Sequence, residues 1–182
     1  MRPSAASNAG PLIHLAQAGQ LHLLRQLYGT ILIPREVKAE VVDRGKEMGA
    51  ADAVQIEEAI AEGWIKIQET AAPPEFTGTA ETAGLDEAEA EVIYLAKNSG
   101  TPALLDDEAA RTFARALGLE VRGSIGVVIQ AQRDHLIERE EALEGLERLS
   151  RVMYLNVDVY RLARREMEQM PQRDRQRRPR GN

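Results

Sequence analysis

Five carboxylates and one carboxamide carry the chemistry open to this chain. Asp106 and Asp107 follow directly on the apolar run Ala103-Leu104-Leu105, and Glu89 and Glu91 lie early in the segment DEAEAEVIYLAKN. Glu40 lies in PREVKAEVVDRG, and Asn8 precedes Ala9-Gly10-Pro11-Leu12-Ile13. Carboxylates converging from separate elements repel one another unless a cation neutralises them. Oxygen ligands with no cysteine, and no histidine at ligand spacing, favour Mg2+ or Mn2+. Such ions most often serve phosphate esters: they orient the phosphate, lower the pKa of the attacking water and neutralise the departing oxygen.

Each of these residues also has a plain structural use. Asp106 or Asp107 could do no more than cap the helix that follows, and Asp107 could pair with Arg111 four residues on. Asp86 with Glu89 three residues later has the form of a capping box. Glu40, three residues beyond Val37 and one before Val41, falls at the margin of a buried stripe, where a solvated glutamate is equally at home. His14, His22 and His135 sit on helical segments without partner spacing and read as surface or edge-of-core residues. Other familiar sites are missing: there is no GxxxxGK[ST] loop and no GxGxxG after a strand, and Gly123-Ser124-Ile125-Gly126 is not the nucleophile elbow GxSxG.

The elements needed to position these groups are legible from periodicity. Helices are expected over 11–18, 20–28 and from Pro34 to about 45, then about 50–62, with Gly19, Gly29 and Gly63 as stops. Strands are expected at 30–33 (TILI), 64–68 (WIKIQ), 102–105 and 119–122. The Pro-, Gly- and Thr-rich stretch 70–85 reads as a long loop, 86–98 and 108–117 as helices, and 124–134, 138–150 and 156–169 as a final helical run. Strands alternating with helices imply an α/β fold with a mostly parallel sheet covered on both faces. A ligand then sits outside the carboxyl ends of the strands where strand order reverses, which is where Asp106, Asp107 and Asn8 would lie. Such a sheet calls for an apolar strand before Asn8, whereas Pro3-Ser4-Ala5-Ala6-Ser7 is short and barely hydrophobic.

Length and charge bound the partners. The 182 residues make one domain, expected over 1–170, with a basic tail at 171–182 that is too poor in apolar residues to fold. That tail holds five arginines and one aspartate, so the net charge of −6 conceals −10 on the first 170 residues. An acidic body binds polyanions poorly, and contact with nucleic acid must come from local basic patches, the tail or a bound cation. The absence of cysteine excludes disulfides and thiolate metal sites and points to a reducing, cytoplasmic setting. No apolar run approaches the ~20 residues of a membrane span, and no secretory leader is visible.

Several segments, taken in order, resemble the PIN-domain family. They are Asn8-Ala9-Gly10-Pro11-Leu12-Ile13-His14-Leu15, Gly19-Gln20-Leu21, Ile33-Pro34 with Val37 and Glu40, and Glu62-Gly63-Trp64-Ile65. Leu85-Asp86-Glu87-Ala88-Glu89-Ala90-Glu91, Leu104-Leu105-Asp106-Asp107 with Ala110-Arg111, and Gly118-Leu119-Glu120-Val121 with Gly123-Ser124-Ile125-Gly126 complete the series. The similarity spans about 7–165 and is nearest to a prokaryotic subgroup of predicted nucleic-acid-binding proteins. It implies a Rossmann-like, three-layer fold with five parallel strands in the order 3-2-1-4-5. It also implies metal-dependent ribonuclease activity, in many members as the toxin of a toxin–antitoxin pair of the VapC kind.

Carried over by position, the resemblance implies a metal cluster of Asn8, Glu40, Glu89 and Asp107, with Asp106 beside it and Ser124 in support. Glu40, Glu89 and Asp107 would be the catalytic carboxylates. Glu91 competes with Glu89 for the third carboxylate place, and the distance back from Gly100 favours Glu89. Asn8 stands where PIN nucleases carry aspartate, so an ion here would be held by one charge fewer. The expected function is phosphodiester hydrolysis of RNA by metal-activated water, with Arg111, Arg115, Arg122 or the tail contacting the strand. The alternatives are a PIN-like module that binds RNA or an antitoxin-like small protein without hydrolysis, and a small-molecule phosphohydrolase. A homodimer is expected from family habit and from apolar faces around Val127, Leu143, Leu146 and Leu149.

Overall fold

A computed structural model describes residues 4–171. Among them, five strands form one parallel sheet in the order β3-β2-β1-β4-β5. These are β1 (Ser4–Ser7), β2 (Thr30–Ile33), β3 (Ile65–Ile67), β4 (Ala103–Leu104) and β5 (Val121–Arg122). The order and direction are those the resemblance implied. β1 lies in the centre, with Ala6 opposite both Leu32 of β2 and Ala103 of β4.

The short, weakly hydrophobic start of the chain is therefore the most enclosed strand. Ala5, Ala6 and Ser7 have no exposed surface. A central strand with helices on both faces gains from small side chains, which let the helical layers close on the sheet. Ser7 is buried at no cost in unpaired groups, because its hydroxyl donates to the Asn8 carbonyl at 2.9 Å. Hydrophobicity alone underrates such a strand, since its burial comes from position rather than from side-chain area.

The connections run through helices. α1 (Ala9–Gln17) and α2 (His22–Tyr28) join β1 to β2; a continuous helical stretch over 35–47, here α3, and α4 (Ala51–Ala61) join β2 to β3. α5 (Pro74–Thr82) and α6 (Glu87–Ser99) join β3 to β4, and α7 (Glu108–Ala116) joins β4 to β5. The chain closes with α8 (Ser124–Arg133), α9 (Arg139–Val152) and α10 (Val157–Gln169). α6 packs on β1 and β4 and against α5 and α7, whereas α1 packs with α4, α8 and α9, which gives helical layers on both sides of the sheet.

Two expectations need correction. The stretch 70–85 is not all loop: Pro73 and Pro74 start α5, and Phe76 anchors it in a ring cluster with Tyr94 and Phe113 at centroid distances of 5.2 and 5.8 Å. Its threonines satisfy themselves by donating to carbonyls one turn back, as Thr79 does to Glu75 at 2.7 Å, so a composition that suggests loop is compatible with helix. Of the residues from which a homodimer was expected, Val127, Leu146 and Leu149 are buried in this chain's own core, where α8 packs on α9, and Leu143 is partly buried against it, so these side chains lend that expectation no exposed apolar face. The tail begins at the edge of the described residues and lies outside them from 172 on. Among the described residues no helix is long and apolar enough to cross a membrane.

Candidate functional site

Strand order reverses between β1 and β4, and the residues leaving those two strands meet there. The Asn8 N–H donates to the Leu104 carbonyl at 3.1 Å, which sets Asn8 beside Leu105 and Asp106. Asn8 is the N-cap of α1, a position where the amide oxygen ordinarily accepts from the second or third helical N–H. Here the third helical residue is Pro11, which has no N–H, and the Asn8 side chain makes no capping bond. Its Oδ1 is instead buried without a donor. A buried acceptor left in this state costs about 1–3 kcal/mol, so this oxygen is available to a cation at no loss of other bonds.

Asp106 is held differently. Its Oδ1 accepts from the Ser124 backbone N–H at 2.7 Å, and its Oδ2 accepts from the Ser124 hydroxyl at 2.6 Å and from His14 Nδ1 at 2.7 Å. Burial by itself would raise its pKa, but the bonds from His14 and Ser124 outweigh that and hold the carboxyl below its ordinary value. An ionised Asp106 can only accept, so the hydrogen in this bond is assigned to His14 Nδ1. Gly123 makes room for this carboxylate, and Gly10 lies close by. A Cβ at Gly123 would lie 2.9 Å from Asp106 Oδ1 and 3.3 Å from the Leu105 carbonyl, and one at Gly10 would lie 3.4 Å from Asp106 Oδ2.

Asp107 caps α7, its Oδ1 accepting from the Ala110 N–H at 2.9 Å. It does not pair with Arg111 through its side chain: the Arg111 guanidinium lies 3.9 Å from Glu108, and only its backbone N–H meets the Asp107 carbonyl. Glu89 completes the expected capping box. Its Oε2 accepts from the Asp86 N–H at 3.1 Å, while Asp86 accepts from the Glu89 N–H at 2.8 Å. Among the described residues the second oxygens of Glu89 and Asp107 have no hydrogen-bond partner. Glu40 rides on Ala39–Arg44, where α3 widens into π-helical turns, a local irregularity often met at functional sites.

Electrostatics link three of these residues. The Glu89 carboxyl is raised above its ordinary pKa, first by burial and then, against the Asp86 backbone bond, by the charges of Asp86, Asp107 and Glu40. Glu40, Glu89 and Asp107 therefore share one field although they come from α3, α6 and the β4–α7 turn. Glu91 looks elsewhere. It is pushed up to about 7 by burial, then by a hydrogen bond to Glu36 and by the charges of Glu36 and Glu87. The buried Glu91 Oε2 has no donor.

Of the sequence-derived set, Asn8, Asp106, Asp107 and Ser124 thus meet at the strand ends, Glu89 and Glu40 lie within electrostatic reach, and Glu91 belongs to a neighbouring pair. Among the described residues no three Asp, Glu or His side chains stand close enough to hold an ion as placed. The donor set still has the chemistry of a hard cation site: an orphaned amide oxygen and carboxylates with a spare oxygen each. His14 was missed by spacing arguments because its partner is 92 residues away. The available signal was its place one turn after Gly10, on the same face of α1.

A PIN-domain family profile matches residues 4–169. The chain belongs to the PIN-domain family. A search of the curated proteins gave no match. PIN-domain membership agrees with the observed strand order and supports nuclease activity in general, nucleic acid as the class of partner and a divalent ion as the usual cofactor.

Proposed function

We propose that this PIN-domain protein is a metal-dependent ribonuclease that hydrolyses phosphodiesters with activated water, acting in the cytoplasm as the toxin of a toxin–antitoxin pair. The observations that support the hydrolytic reading are the orphaned Asn8 oxygen at the end of the central strand and the mutual repulsion of Glu40, Glu89 and Asp107. The toxin role and an antitoxin-like partner rest on the VapC resemblance alone.

Asn8, Glu40, Glu89 and Asp107 would hold Mg2+ or Mn2+. When bound, the ion supplies Lewis acidity and a water of lowered pKa. The protein's own contribution is positional. The ionised Asp106, locked by Ser124 and His14, fixes the turn from which Asp107 projects. Glu89 and Asp107 each keep one oxygen in a helix cap, which limits their rotation and leaves the other oxygen for the ion. Glu40, electrostatically coupled to Glu89, adds negative charge that only a cation relieves. Arg111, loosely placed 3.9 Å from Glu108 beside Gly123, is the nearest candidate to meet a phosphate; Arg122 is engaged by Glu120 at 2.7 Å.

Cleavage of single-stranded RNA by the purified protein with Mn2+, compared with D107N and E89Q, tests this reading. Loss of cleavage in both variants is expected, and cleavage unchanged by both overturns the site. A second reading, a PIN-like module that binds RNA or a small protein without hydrolysis, is favoured by the amide at Asn8 and by the absence among the described residues of three ready acidic ligands. RNA binding with no cleavage under any divalent ion would select it.

A further inference from the structure

We propose that His14 is a positioning residue of this site, a strut that sets the separation of Asn8 and Asp107. The proposal rests on the reading of those two residues as ligands to one cation. Asn8 and His14 belong to the same rigid element: Asn8 caps α1 and His14 lies on it, six residues further on. Asp106 and Asp107 are consecutive residues of the turn between β4 and α7. The 2.7 Å bond from His14 Nδ1 to Asp106 Oδ2 therefore ties the helix that carries one ligand to the turn that carries the other.

The tie is built into the packing. Ser124 grips Asp106 from α8 with two bonds, and His14 grips it from α1. Without His14 the carboxylate is anchored from the α8 side only, and the start of α1 keeps just its backbone tie to β4, the Asn8 N–H to Leu104 carbonyl bond at 3.1 Å. The first turn of α1 passes close to Asp106 at Gly10, and the His14 and Asp106 side chains keep only 23% and 11% of their surface exposed. Hydrogen-bonded groups behind a metal's direct ligands commonly tune its affinity, with losses of about 10–100-fold on removal.

Calorimetric titration with Mn2+ alone, on wild type, H14F and H14N with a thermal melt of each, tests the proposal. H14F keeps the bulk but lacks the donor; H14N keeps an N–H at the position of Nδ1. The expected result is Mn2+ binding weakened at least about tenfold in H14F and within about threefold of wild type in H14N. A folded H14F with wild-type Mn2+ affinity overturns the proposal alone, as does H14N no better than H14F. A wild type that does not bind Mn2+ overturns the metal reading and the proposal with it. If H14F does not fold, H14L, which also removes the donor, carries the test: a folded H14L with undiminished Mn2+ binding would overturn the proposal.

Discussion

Replacing Glu91 by glutamine should stabilise the protein at alkaline pH and leave it unchanged at acid pH. The Glu91 carboxyl, paired with Glu36, is raised to about 7 in the folded state. A raised carboxyl favours the folded state below its unfolded value, near 4.3, and that advantage is lost as pH climbs through the folded value. The full shift corresponds to roughly 3 kcal/mol at 1.36 kcal/mol per unit. Glu91 is only partly enclosed, and screening by solvent reduces this to about 1 kcal/mol. For a chain of this size that is about 2–4 °C in melting temperature. Thermal melts of wild type and E91Q from pH 4 to pH 8.5 should converge at the acid end, with E91Q about 1 kcal/mol more stable above pH 7.5. E36Q should act in the same direction, because it removes a neighbouring charge that raises Glu91. Parallel curves across the whole range would refute the Glu36–Glu91 contact.

Other consequences follow from the same geometry. G123A drives a methyl to 2.9 Å from Asp106 Oδ1 and should cost about 2 kcal/mol, read as a melting temperature lower by roughly 4–8 °C; an unchanged melt would contradict the close packing. Asp106 is held below its ordinary pKa, so its stabilisation exists above the unfolded value and is lost as pH falls through the lower folded one. D106N should therefore flatten the acid limb of stability below about pH 4, measured by urea unfolding. N8D adds a charge to the oxygen cluster and should tighten Mn2+ binding by about tenfold in calorimetry, while lowering the melting temperature of the metal-free protein through added repulsion.

Much of this was legible in the sequence, and the exceptions have physical causes. TILI and the Leu-Leu-Asp-Asp segment announced buried strands and the carboxylates at their ends, because local patterning carries both. The capping box at Asp86 and Glu89 was equally plain, since its partners are three residues apart. β1 was hard to credit because Ala5 and Ala6 owe their burial to a central place in the sheet. α5 was hidden by threonines that pair with their own backbone. The His14–Asp106 bond was missed because its partners lie 92 residues apart, and the place of His14 one turn after Gly10 was the one local hint. The distance back from Gly100 favoured Glu89 over Glu91, and the surroundings differ in the same sense: Glu89 feels the charges of Asp107 and Glu40, Glu91 those of Glu36 and Glu87.

The account's central claim is that Asn8 and the carboxylates around it hold one cation. Anomalous diffraction from a crystal soaked in Mn2+ tests this most directly. The predicted result is a single strong peak in contact with Asn8 Oδ1, Asp107 and Glu89, with Asp106 still bonded to Ser124 and His14. A peak confined to other carboxylates, such as Glu36 and Glu91, or no peak at saturating Mn2+, would contradict it.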